Sequence, residues 1–160
     1  IVPDWIKDVE TGTQRISSTR IRQLVMDGHV DRAKHYLGRF YQIRGKVIKG
    51  RKRGGSQLGF PTANMKLHDE LCPKFGVYAV TAETIHGHFK GVANIGFSPT
   101  FGDGMFTIEV HIFDFKEDIY DSRIRVNMVK RLRDEIKFSS IEQLSDQIRK
   151  DIQLAKEILK

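Results

Sequence analysis

The stretch Gly50-Arg51-Lys52-Arg53-Gly54-Gly55-Ser56-Gln57-Leu58-Gly59-Phe60-Pro61-Thr62-Ala63-Asn64 gathers the residue types that handle phosphate. Glycines let a backbone turn sharply and bring its amides against a polyphosphate, while basic side chains supply countercharge. Two phosphate-binding patterns are excluded. The Walker loop needs Lys-Ser/Thr after its second glycine, whereas Gly55 is followed by Ser56-Gln57, and G-x-G-x-x-G is absent. Composition leaves two readings of the loop, a phosphate cradle and a solvated hairpin turn. Pro61 then pins the entry to a strand, so Thr62 and Asn64 project to one face of it. A hydroxyl and an amide carbonyl are hard oxygen donors of the kind Mg²⁺ combines with waters and substrate phosphates. The competing reading is an ordinary turn in which Asn64 bonds backbone.

Positioning these groups calls for strands. From Phe40 to about Arg133 the hydrophobic period is two, with Gly and Pro punctuation. Strands are predicted near 40–49, 62–66, 76–85, 88–96, 105–115 and 123–132, with a tight turn at His86-Gly87-His88. Six short strands without intervening helices predict a mainly β fold, a six-stranded antiparallel Greek-key barrel. Ser139 to Lys160 reads as a helix, with Ser139 and Glu142 as a capping box and Ile141, Leu144, Ile148, Ile152, Ala155 and Leu159 as its apolar stripe. Two short helices are predicted before the barrel. One starts near Ile16-Ser17-Ser18-Thr19 and stops at Gly28, and the other covers Val30 to Leu37 and is closed by Gly38.

The 160 residues carry 27 Lys and Arg against 20 Asp and Glu, and the net charge of +7 suits an anionic partner. No apolar run is long enough to span a bilayer, and no secretory signal is visible. Cys72 is the one cysteine, so no internal disulfide is expected, and a buried or half-buried thiol in a cytoplasmic protein is the natural reading. The six histidines show no zinc-type spacing.

L-G-F-P-T-A-N after a basic glycine loop resembles the signature of riboflavin kinases, including the kinase half of bacterial bifunctional FAD synthetases. The resemblance continues through Gly76-Val77-Tyr78-Ala79, Gly91-Val92-Ala93-Asn94-Ile95-Gly96 and Pro99-Thr100-Phe101-Gly102. Glu109-Val110-His111-Ile112-Phe113-Asp114-Phe115, Asp118-Ile119-Tyr120 and Arg131-Leu132-Arg133-Asp134-Glu135-Ile136-Lys137-Phe138 complete it, over roughly residues 38–160. It implies transfer of the ATP γ-phosphate to the 5′-hydroxyl of riboflavin, giving FMN, with Mg²⁺ bound by Thr62 and Asn64. It also implies a nucleotide site built from Gly50, Arg53, Gly54, Gly55, Ser56 and Thr62, to which His111, on the strand face of Glu109, is added by position, with orientation of that carboxylate and a structural hydrogen bond as its other readings. Glu109 takes the place of the family's catalytic base. Its strand makes this plausible, since Phe106, Ile108, Val110 and Ile112 share one face and leave Thr107, Glu109 and His111 on the other. Arg133 and Phe138 match flavin-binding positions in a mobile loop and helix start. Two features depart from the family pattern: Asp121 stands where a Gly commonly follows D-x-Y, and the glycine loop is one residue longer than in many bacterial relatives.

Residues 1–37 read as the helical tail or linker of a missing upstream domain. The chain begins with Ile1, and Ile16-Ser17-Ser18-Thr19-Arg20-Ile21-Arg22 resembles the last motif of the FMN adenylyltransferase half of those synthetases. With no H-x-G-H present, no adenylyltransferase activity is expected, and Ser18 and Arg22 have no expected role. The partners implied are small-molecule substrates and that upstream domain, not nucleic acid or membrane. A nucleic-acid-binding barrel and a non-catalytic flavin-binding module are the rival readings.

Overall fold

A computed structural model describes residues 5–8, 12–50, 58–67, 71–97 and 106–160. Arg53, Gly54, Gly55 and Ser56, expected at the nucleotide site, lie outside the described residues, as does Pro99-Thr100-Phe101-Gly102. The first element is a hairpin of β1 (Trp5–Asp8) and β2 (Gly12–Arg15), which lies ahead of the strands expected from the sequence. Four residues per strand are too few for a two-residue period to stand out. The helices α1 (Ser18–Met26) and α2 (Val30–Leu37) follow as expected. The Ser17 hydroxyl accepts from the Arg20 amide at 3.1 Å, and Gly38 ends α2 at φ 70°.

Six strands then form the barrel: β3 (Tyr41–Ile48), β4 (Ala63–Leu67), β5 (Gly76–Thr84), β6 (Gly87–Phe97), β7 (Phe106–Ile112) and β8 (Arg123–Arg133). Their order is β3-β4-β7-β6-β5-β8, every neighbouring pair is antiparallel, and β3 closes on β8. Inward residues such as Ile43, Tyr78, Val80, Ile95, Ile108, Val110, Val126 and Met128 fill the interior. Closure leaves no unpaired sheet edge among these strands. Val30 of α2 enters the same core, while Leu24, Val25, Ala33 and Tyr36 form a satellite cluster beneath α1 and α2. The two helices therefore pack on the barrel.

The last helix, α3 (Ile141–Ile158), lies over β5, β6 and β8. Its cap is Ser140, not Ser139: the Ser140 hydroxyl accepts from the Gln143 amide at 3.2 Å. Gln143 Oε1 in turn accepts from the Ser139 hydroxyl at 2.8 Å, so the box is built on Gln143 instead of Glu142. The expected stripe divides. Ala155 and Leu159 bury against Ala79, Val92 and Phe113, whereas Ile141 is 62% exposed. This cover explains why β5 is buried on both faces from Gly76 to Val80. Asp121 adopts φ 67°, the left-handed turn a glycine would take, and its carboxylate meets Lys46 Nζ at 2.8 Å. Cys72 is half-buried, and burial pushes its thiol up to about 11. Among the described residues no helix is long and apolar enough to cross a membrane.

Candidate active site

Alternation along β7 sends Ile108, Val110 and Ile112 into the core and turns Glu109 and His111 outward. Register then decides what Glu109 meets. Its Cα partner is Asn64 on β4 and Asn94 on β6. Directly opposed side chains in antiparallel strands start roughly 5 Å apart at Cβ, so two amides flank the carboxylate. Glu109 is half-buried, and burial holds its carboxyl above the usual carboxylate range. Desolvation of this kind makes the ionised group a stronger base.

Two cavities meet at this carboxylate. The first, of about 530 Å³, is walled by Val47 and Ile48 of β3, by Gly50, by Pro61 to Asn64, by Glu109, Val110 and Ile112 of β7 and by the segment from Phe115 to Tyr120. Gly50 is required here by close approach, since a Cβ on it would lie 1.9 Å from Asn64 Nδ2. Lys49 Nζ sits 5.2 Å from the Tyr120 ring centroid, and the Tyr120 amide donates to the Asp118 carboxylate at 2.8 Å.

The second cavity, of about 260 Å³, lies under the N-terminal half of α3. Phe60, Asn94, His111 and Arg133 line it together with Glu135, Ile136 and Phe138, and Leu144 and Ile148 of α3 complete it. Thr62 and Glu109 are the residues common to both cavities.

Of the residues expected from the sequence, Gly50, Thr62, Asn64 and Glu109 come together in the first cavity. His111 does not join them there. It lines the second, with its Nδ1 donating to the Pro61 carbonyl at 2.8 Å and the Phe60 ring edge-on at 5.9 Å. Phe138 is half-buried in the second cavity. Arg133 is the last residue of β8, not part of a loop, and its guanidinium is committed. Nε and Nη2 grip Asp151 of α3 at 2.9 and 2.7 Å, and Nη1 donates to the Asp134 carbonyl at 2.9 Å. Asp151, buried at 5% exposure, also accepts from Gln147 at 3.0 Å. One hydrogen on each terminal nitrogen of Arg133 is left for a ligand.

Asn94 and the segment from Lys116 to Tyr120 join the lining without having been expected there from the sequence. Asn94 carried a legible signal, a polar residue between Val92 and Gly96 on the outer face of β6. Its place beside Glu109 follows only from register.

Residues 37–159 match the family described as Flavokinase: Riboflavin kinase. The bifunctional riboflavin kinase/FMN adenylyltransferase of Haemophilus influenzae is 45% identical over 144 residues, which are 89% of this chain and 46% of that protein. Its counterpart in Bacillus subtilis is 44% identical over 146 residues, again 89% and 46%. The chain thus spans about half the length of the curated relatives it matches. A crystal structure of a Streptococcus pneumoniae protein described as a macrolide-efflux protein superposes with TM-score 0.86 at 40% identity, over 95% of this chain and 49% of that one. Riboflavin kinase from Trypanosoma brucei superposes with TM-score 0.54 at 26% identity, over 76% and 80%.

Proposed function

The chain belongs to the riboflavin kinase family, and from that premise we propose that it phosphorylates riboflavin to FMN with ATP, using Glu109 as base and Thr62 and Asn64 as Mg²⁺ ligands. The observation that carries this reading is the carboxylate shared by two cavities. A phosphoryl transfer needs its donor and acceptor in adjoining spaces with a base at their junction. Thr62 and Glu109 occupy that junction.

The nucleotide belongs in the larger cavity, whose wall includes Gly50 and Lys116. The glycine loop, Arg53 to Ser56, is proposed to cover its phosphates. The Thr62 hydroxyl and Asn64 carbonyl suit a hard cation, and the bare backbone of Gly50 lets the Asn64 amide approach closely. When bound, Mg²⁺ would neutralise charge on the transferring phosphate. Riboflavin belongs in the smaller cavity, against Phe138 and Ile136, with Arg133 presenting its remaining donors. The 5′-oxygen then forms its bond to the γ-phosphorus as the bond from that phosphorus to the bridging oxygen of ADP breaks. Glu109 takes the hydroxyl proton. The His111 Nδ1 proton is held by Pro61, which leaves Nε2 as an acceptor for the neutral ring in the flavin cavity, and His111 is proposed to reach the nucleotide phosphates only across that junction.

An upstream adenylyltransferase domain is proposed for the parent protein, because the relatives carry both activities in their names and about twice the length. The role named for the streptococcal protein is not carried to this chain, because the two cavities and the other relatives support phosphoryl transfer.

Incubation with riboflavin and Mg²⁺-ATP, followed by chromatography of the flavins, tests the reading. FMN that forms only with both ATP and metal, without FAD, is the expected result. Flavin binding without FMN would leave a non-catalytic module in its place.

A further inference from the structure

We propose that Arg131, unused in the reaction just described, is a positioning residue for the flavin-side cavity, and that the turn between α1 and α2 holds it in place. The proposal rests on the assignment of riboflavin to that cavity.

The Arg131 side chain runs between two glycines. A Cβ on Gly28, in the α1–α2 turn, would lie 2.5 Å from Arg131 Cδ, and one on Gly76 would lie 2.7 Å from its Nη2. Both glycines have positive φ, 85° and 145°. Backbone without side chains is what admits the arm. At its end Nη2 donates to the Phe75 carbonyl and to the Asp134 carboxylate. Its Nε is buried without a partner among the described residues. Such an unpaired donor is tolerated where the rest of the group is strongly engaged. Arg131, followed by Lys74, holds the Asp134 carboxyl below the usual range.

Asp134 is the root of the segment that walls the flavin cavity. Arg131 grips its carboxylate and Arg133 its carbonyl, so the root is clamped from both sides. The next residues, Glu135, Ile136 and Phe138, line the cavity. Glu135 closes over Gly96, where a Cβ would come within 2.1 Å of its Oε1. The other end of the arm rests on the helical pair, which also receives the Lys74 amide on the Val25 carbonyl at 3.3 Å. The family match begins at residue 37. A chain of contacts therefore links residues upstream of it to the flavin cavity.

The test titrates riboflavin fluorescence with the full chain and measures FMN formation in parallel. Arg131→Met keeps the length of the arm and removes its donors, Asp134→Asn removes their charged acceptor, and Gly28→Ala displaces the arm while leaving both partners. Arg131→Met and Asp134→Asn should each weaken riboflavin binding roughly three- to tenfold, with KM for ATP and kcat within about twofold. The double variant should be no worse than Arg131→Met alone, because the contact that Asp134→Asn breaks is already gone. Gly28→Ala should move the same constant in the same direction, and Arg131→Lys should recover part of it. A lowered Tm with unchanged riboflavin affinity would make Arg131 a structural strut and overturn the proposal, as would equal losses toward ATP. Wild-type chain that binds flavin without making FMN would sink the kinase reading alone, since the binding comparison still decides the role of Arg131.

Discussion

The two cavities share Thr62 and Glu109 but are built by different means. The first is made from both faces of neighbouring strands and from the segment between Phe115 and Tyr120. The second is an outer wall of the barrel roofed by α3 and by residues 134–140. Its roof is fastened by charged pairs that join separate elements, such as Arg133 with Asp151. Chemistry that needs only a carboxylate between two oxygen donors can be laid out on a strand pair. A pocket for a large planar ligand needs a roof, and a roof needs ties across the fold.

The shared wall offers the sharpest way to break this comparison. Glu109→Gln should lower kcat by about 10²–10⁴ while ATP and flavin binding stay near normal. Near-normal turnover would remove the base from the junction. Burial raises the Glu109 pKa, so the folded chain binds that proton more tightly than the unfolded one. Stability is therefore lost as pH rises through the folded value, and Glu109→Gln should be the more stable of the two at neutral pH in urea unfolding. In the wild type kcat should fall as pH drops through the same value, with an acid limb above the ordinary carboxylate range.

Asp151→Asn tests the roof. It leaves Arg133 in a half-buried place with a neutral partner, and should cost roughly 1–3 kcal/mol in thermal unfolding. Riboflavin affinity should fall more than ATP affinity. A larger effect on ATP would contradict the division of labour between the cavities. Asn64→Ala and Gly50→Ala test the other side. The first removes the proposed ligand and the second drives a methyl into its amide. Each should raise KM for Mg²⁺-ATP about tenfold with riboflavin binding unchanged, and parallel losses for both substrates would merge the two sites.

The smallest effect belongs to Asp121→Gly, at the rim of the first cavity. Glycine relieves a left-handed residue of about 1 kcal/mol. It also frees the unfolded chain by a similar amount and forfeits an exposed ion pair worth about 0.2–1 kcal/mol. Stability should stay within about 1 kcal/mol by urea unfolding. A loss beyond about 2 kcal/mol would show that Lys46 and Asp121 support the cavity rim.

Much of this architecture was legible in the residues. The six strands, both short helices, the Gly38 stop and the terminal helix were all readable, because pleat, helical period and capping operate over a few neighbours. The outward face of β7 was readable for the same reason. The hairpin at Trp5–Asp8 and Gly12–Arg15 was not, since such short strands carry no period. Ser140 displaced Ser139 as the cap of α3 through a one-residue difference in where the helix starts, which spacing cannot resolve.

By itself the sequence determined which residues of β7 face inward, that Thr62 and Asn64 lie near each other, and that Glu109 stands outside the core. Tertiary structure alone decided that Asn64 and Asn94 flank Glu109, that Arg133 is spent on Asp151, and that Arg131 threads between Gly28 and Gly76. The reason lies in range. Local periodicity sets a side chain's direction within its element, while its partner is set by barrel register and by closure of long loops, whose entropy is met only by the whole assembled core.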